Sequence, residues 1–254
     1  MSQHVWRSFL LAVGLATSSF SVLAQPLRIL CAEITPLCYQ SSHGPTGFIY
    51  EIGQELRRRL NRSEPIEIEP LARMWLTTRG DMPVISLWVG RTPEREQSVI
   101  WIAPVMTDAF SVYTLKGRPI PKTIEQVRQL ERIGTIILGA NQYASKQHQL
   151  DNTKMYSSDY VNGRMLLYGR LDGWIATQVS VRGFLREKNL PDDTIVRGFK
   201  LMDYVAYLAA SRSVSDAEVT RWKAALLEMQ RDGSYRRILD KYGSGNVDVR
   251  YRTP

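Results

Sequence analysis

Histidine and cysteine are scarce in this sequence of 254 residues, and their scarcity removes whole classes of chemistry. There are three histidines and two cysteines. Beyond the first 24 residues only His43 and His148 remain, and neither stands near a cysteine at zinc-ligand spacing. No metal site is expected, no cofactor, and no histidine-centred catalytic triad. A paired-carboxylate signature and a nucleophile elbow are missing as well. No later run free of charge reaches the roughly 20 apolar residues that cross a bilayer. There is no fixed-period repeat and no low-complexity segment. The formal charge is +8, but the arginines are scattered rather than massed, as on a solvated surface with a few special positions. Nucleic acid is not an expected partner.

The N-terminus has a pattern of its own. Arg7 precedes an apolar, small-residue run from Ser8 to Val22, closed by Val22-Leu23-Ala24. That is the form of a secretory signal cut after Ala24, with an apolar core too short and too serine-rich to span a membrane comfortably. Gln25 and Pro26 follow where a lipoprotein would carry cysteine. Segment 1–24 is therefore set aside from the fold. In an oxidising compartment the pair Cys31 and Cys38 reads as a disulfide or as two separate buried thiols.

Alternation of short elements defines the class. Leu27 to Ala32 reads as a strand and Pro36 to Gly47 as a loop. Phe48 to Leu60 spaces Phe48, Ile49, Ile52, Leu56 and Leu60 as on an amphipathic helix. Strand 66–68, helix 71–79 and strand 84–89 follow. A second series has strands at 110–115, 133–138 and 171–175, helices at 124–130, 159–168 and 179–188, and a strand at 204–209. A helical tail, 215–242, breaks near Asp232-Gly233. Strand-helix alternation predicts an α/β protein with a largely parallel sheet. Its two successive units suit two lobes.

Five motifs, in order along the chain, carry a resemblance. They are Leu27-Arg28-Ile29 with Ala32-Glu33 and Pro36; Gly47-Phe48 with Glu51-Ile52 and Leu56; and Thr92-Pro93-Glu94-Arg95 with Trp101-Ile102-Ala103-Pro104. The last two are Gly169-Arg170-Leu171-Asp172-Gly173-Trp174, and Arg231-Asp232-Gly233-Ser234-Tyr235 with Ile238 and Tyr242-Gly243. Together they resemble the bacterial extracellular solute-binding proteins of family 3, the amino-acid-type binders of ABC importers. The resemblance implies a type II periplasmic binding protein-like clamshell with two hinge crossings. One lobe would be 26–107 plus 205–254 and the other 110–203, hinged near Thr107 to Phe110 and near Asp203. It further implies a periplasmic, monomeric, non-catalytic protein that closes on a small polar or anionic ligand and signals occupancy to an ABC permease or a sensor. The alternatives are an accessory binder without a transporter and a periplasmic dehydratase, with Glu33 and Arg95 as acid/base and clamp.

The resemblance also assigns candidate ligand-binding positions. Arg95 stands where the family holds a ligand carboxylate with a two-pronged guanidinium; neighbouring Arg91 adds potential or is simply solvated. Trp88 and Gly90 stand where amino-acid binders place small hydroxyl residues. Thr177 replaces the second-lobe acid that receives a ligand ammonium, which turns the expectation toward an anion or a neutral polar solute. Glu33 lies on the ligand-facing first loop. Arg73, in Pro70-Leu71-Ala72-Arg73, is a second cleft cation or an ordinary helix residue. Tyr143 and Ser145 belong to Gly139–Ser145, a helix start of the kind that attracts anions.

Overall fold

The structure, a computed structural model, describes residues 26–242. The signal-peptide expectation at 1–24, the cut after Ala24 and motif residue Gly243 lie outside the described residues. Among the described residues no helix is long and apolar enough to cross a membrane.

The first half contains β1 (Arg28–Ala32), β2 (Tyr39–Ser41), β3 (Gly44–Thr46), α1 (Phe48–Arg59), β4 (Ile66–Glu69), α2 (Leu71–Thr78), β5 (Val84–Gly90) and the long β6 (Ile100–Leu115). It continues with α3 (Ile124–Arg128), β7 (Ile133–Ile136), α4 (Ala140–Gln147), β8 (Thr153–Tyr156), α5 (Asp159–Leu167), β9 (Gly173–Ala176) and α6 (Gln178–Glu187). The equally long β10 (Ile195–Ala210), α7 (Asp216–Arg231) and α8 (Ser234–Lys241) complete the chain. Eight strands form one sheet in the order β4-β1-β5-β10-β6-β9-β7-β8.

The sheet has two parallel wings. β4, β1 and β5 run parallel on one side, and β9, β7 and β8 on the other. Between them β6 and β10 run antiparallel to each other and to their wing neighbours. The expected largely parallel sheet is thus mixed at its centre. Sequence patterning shows only the ends of the two long strands because Pro104 and Gly198 interrupt the apolar run. Pro104 is tolerated because β6 meets β9 only at Ser111–Tyr113. At Pro104 its far side is a sheet edge that needs no donor.

Local chemistry explains where the helices begin. Ser158, Thr177 and Ser215 cap α5, α6 and α7 with side-chain oxygens that accept from Val161, Ser180 and Glu218 N–H groups. α7 and α8 are separated by Gly233 at φ 77°, a left-handed conformation that glycine adopts without steric cost. β5 is buried along its whole length, as a central strand covered on both faces must be. The main core includes Ile29, Phe48, Leu56, Ile85, Trp222 and Leu226, all fully buried. A second cluster around Trp174, Phe184, Leu185 and Leu166 lies beneath α5 and α6.

Two features were not anticipated. β2 and β3 form a small hairpin inside the segment expected to be loop, and β8 is an edge strand whose half-exposed Thr-Lys-Met-Tyr carries too little apolar periodicity to announce itself.

Candidate functional site

The carboxyl ends of the parallel strands in both wings meet the middle of β6 and β10, the place where open α/β sheets present ligand contacts. Ile34 and Leu37, following β1, together with α2 and the end of β5, form one wall. The starts of α4, α5 and α6 form the other. Between them lies an inner cavity of about 40 Å³ lined by Trp75, Trp88, Gly90, Arg95, Asn141, Asp159, Thr177, Ser180 and Tyr204. An outer cavity of about 520 Å³ adjoins it, lined by Glu33, Thr35, Tyr39, Tyr160, Phe184 and Glu187 and sharing Ile34, Asp159 and Ser180 with the inner one.

Arg95 ends the single 3₁₀ turn Pro93–Arg95 that follows β5. One guanidinium nitrogen donates to the Gly90 carbonyl at 3.1 Å and the other to the Leu138 carbonyl, on the opposite wall, at 2.6 Å. The guanidinium lies over the Trp75 ring, 4.3 Å from its centroid. Burial pulls its pKa below the ordinary arginine range, and among the described residues no carboxylate pairs with it. A charge drawn partly out of water and answered only by neutral carbonyls and an indole face is under-compensated. Leu138 itself is held at φ 54°, an uncommon conformation for a bulky residue.

Trp88 is buried on the inner wall at ring-centroid distances of 6.4 Å from Phe48 and 6.1 Å from Tyr204. Burial drives the pKa of the Tyr204 hydroxyl up. Gly90 cannot carry a hydroxyl side chain here, because a Cβ would sit 2.6 Å from Tyr204 Cε2 and 2.8 Å from Ala140 Cβ. Tyr204 fills the space that a small polar residue would open. Neither Tyr204 nor Trp75 is evident from sequence as a site residue, since isolated aromatics between apolar neighbours read as core.

Thr177 lines the inner cavity, but its hydroxyl accepts from Ser180 N–H at 3.2 Å and donates to Ser180 Oγ at 3.1 Å. It serves as the cap of α6. Glu33 is exposed and borders the outer cavity, apart from the inner cavity where Arg95 stands. Arg73, Tyr143 and Ser145 line neither cavity. On α2 the inward positions are Leu71, Met74 and Trp75, leaving Arg73 exposed. α4 begins after Gly139, so Ala140 and Asn141 face inward, while Ser145 spends its hydroxyl on the Gln142 carbonyl. Arg91 pairs with Glu96 outside and stacks against Trp101 and Tyr207.

A buried acid that the sequence left unremarked as a site residue completes the inner wall. Asp159, at the start of α5, accepts from the Trp174 indole N–H at 3.1 Å, and burial pushes its pKa up to about 6. Asp108, on β6, accepts backbone N–H bonds from Ala109 and Val179 and ties that strand to the start of α6. Cys31 and Cys38 are joined by a disulfide with Cα atoms 6.2 Å apart, fixing the loop that borders both cavities. Among the described residues no group of three or more metal-ligating side chains gathers.

Two α/β wings bridged by two long strands, with a buried aspartate and a partly buried arginine facing a cleft between them, define a clamshell of the type II periplasmic binding protein class. The model of the bacterial extracellular solute-binding proteins, family 3, matches residues 28–245, and the chain belongs to that family. The lysine/arginine/ornithine-binding periplasmic protein of Escherichia coli (strain K12) is 24% identical over 94% of this chain and 96% of that protein. Among solved structures, an ancestral arginine-binding protein bound to arginine superposes with a TM-score of 0.74 at 17% identity, over 86% of this chain and 99% of that one. A histidine kinase sensor domain with similarity to periplasmic binding proteins superposes at 0.76 with 14% identity, over 89% and 99%. These likenesses establish the fold; the family establishes a solute-binding protein.

Proposed function

We propose that the chain captures a small carboxylate-bearing polar solute between two lobes in the periplasm and presents the closed complex to an inner-membrane ABC permease. The lobes would be 26–107 plus 205–254, of which 243–254 lie outside the described residues, and 110–203, hinged where Thr107–Phe110 lies alongside Met202–Val205 in the β6–β10 ladder. The leading segment is removed after Ala24, and the protein acts as a monomer without catalysing a reaction. The observation that carries the proposal is Arg95, a partly buried guanidinium that stacks on Trp75 and hydrogen-bonds only to neutral carbonyls, one on each side of the cleft. A ligand carboxylate would replace those carbonyls with a charge-assisted, two-pronged pair. The inner cavity, about 40 Å³, is far below the roughly 300–1,000 Å³ of a small-molecule pocket. Capture therefore requires the lobes to part and Arg95 to release Leu138, an open–closed equilibrium that ligand shifts. The E. coli relative, named for its binding of basic amino acids, supports an amino-acid class of solute.

The test is a thermal-shift screen of amino acids, small organic acids and neutral polar metabolites. The expected result is a concentration-dependent rise with carboxylate-bearing compounds that Arg95→Ala abolishes. Arg95→Lys should restore little of it, because an ammonium cannot reproduce the planar fork. Binding unchanged by Arg95→Ala would reject the clamp.

A further inference from the structure

Position 177, where the family resemblance puts the acid for a ligand ammonium, has threonine, and its hydroxyl is spent within the first turn of α6. We infer that Asp159 is the acidic pole of the site, receiving the ammonium of an α-amino acid whose carboxylate Arg95 holds. The inference rests on the proposed carboxylate capture by Arg95 and names the substrate class of that same cleft.

Asp159 is nine-tenths buried and borders the inner cavity, with Arg95, as well as the outer one. Its side-chain hydrogen-bond donor is neutral, the Trp174 indole. Among the described residues no lysine or arginine pairs with it. An ionised carboxylate accepts at about four sites, so this donor leaves it with capacity to spare. Local structure does not explain the charge. Ser158 already caps α5 through Val161 N–H, and the Trp174 N–H would be equally satisfied by the neutral oxygen of an asparagine. Burying a carboxylate without a cation costs stability. An arriving ammonium supplies the missing countercharge, just as a ligand carboxylate does for Arg95. The two residues are thus complementary halves of one zwitterion site, each under-compensated in the ligand-free protein. Sequence comparison at position 177 misses this, because the acid has moved to the neighbouring helix start.

The experiment is titration calorimetry at pH 7.5 on the purified full chain, Asp159→Asn and Arg95→Ala. The probes are the twenty L-α-amino acids and, for each binder, its α-hydroxy acid, which keeps side chain and carboxylate but replaces the ammonium with a neutral hydroxyl. The unaltered protein should prefer the amino acid strongly. Asp159→Asn should weaken amino-acid binding roughly thirtyfold or more, leave the hydroxy acid within about threefold, and raise the melting temperature of the ligand-free protein. Arg95→Ala should abolish both. Equal binding of the two series by the unaltered protein, or a preference that survives Asp159→Asn, would overturn the inference while leaving the Arg95 clamp intact. Equal loss of both series with a lowered melting temperature would make Asp159 a structural residue. Affinities unmoved by Arg95→Ala would instead reject the underlying clamp.

Discussion

At Arg95 and Asp159, both lining the inner cavity, burial disfavours the charged form of the side chain. Desolvation raises Asp159 from 3.8 to about 6, so the folded protein prefers the protonated acid. That preference is fully present below pH 4 and is lost as pH rises through 6. The ligand-free protein should lose roughly 3 kcal/mol across that window. Asp108, raised in the same direction by burial, adds to the slope. Glu55, held down to about 2 by Arg58 and Arg59, works in the opposite sense, its stabilisation being lost as pH falls through 2. Urea unfolding between pH 4.5 and 7 should show the decline, and Asp159→Asn should flatten it; an unaltered slope would place the titration elsewhere. At this scale the sequence was partly legible. Arg95 was singled out through its motif, and the structure places it on the inner cavity. Asp159 was not, because Ser157-Ser158-Asp159 reads equally well as a helix cap, and only the packing of α5 against the cleft turns the carboxylate inward.

Among the elements, the loop after β1 does the most to shape the cleft. It is bounded by the Cys31–Cys38 disulfide and by Gly47, whose φ of 120° brings it so close to Leu37 that a Cβ would stand 2.2 Å from the Leu37 carbonyl oxygen. Both cysteines are fully buried, so replacing the pair by alanine removes the cross-link together with two buried sulfur atoms. The double variant should lose about 2–3 kcal/mol of stability, the value for so short a closed loop, and should bind more weakly because Ile34 and Leu37 line the inner cavity. Chemical denaturation and calorimetry of the double variant, with the reduced native protein as control, check both. Helix positions were legible from the three-to-four apolar spacing. The inward face of each helix was legible only in part: Arg73, Tyr143 and Ser145 were candidates by motif neighbourhood, yet the turn at which α2 and α4 meet the cleft presents Trp75 and Asn141 instead.

At the scale of the whole molecule, the two sides of the cleft meet tightly at one point. The α6 residue Gly183 packs against the loop after β1. A Cβ there would lie 2.4 Å from Pro36 Cδ and 2.9 Å from Pro36 N. Gly183→Val should therefore prop the lobes apart without disturbing either core. The expected outcome is a larger radius of gyration by small-angle scattering and weaker ligand affinity, with far-UV circular dichroism unchanged. A variant as compact and as tight-binding as the native protein would show that closure does not depend on this contact. The Arg95–Leu138 bond spans the same cleft, so closure and ligand capture draw on one set of contacts.

Local interactions were enough for the sequence alone to determine the class of fold, the order of its main elements, the family motifs and the arginine that lines the inner cavity. Apolar periodicity, capping residues and turn glycines act over a few positions and are written in consecutive residues. The tertiary structure alone decided that β6 and β10 run unbroken through Pro104 and Gly198, that Tyr204 occupies the space beside Gly90, and that Asp159 rather than residue 177 brings a carboxylate to the cleft. Each of these depends on which distant segments the sheet order sets side by side, and hence on burial and charge compensation that no short stretch of sequence contains.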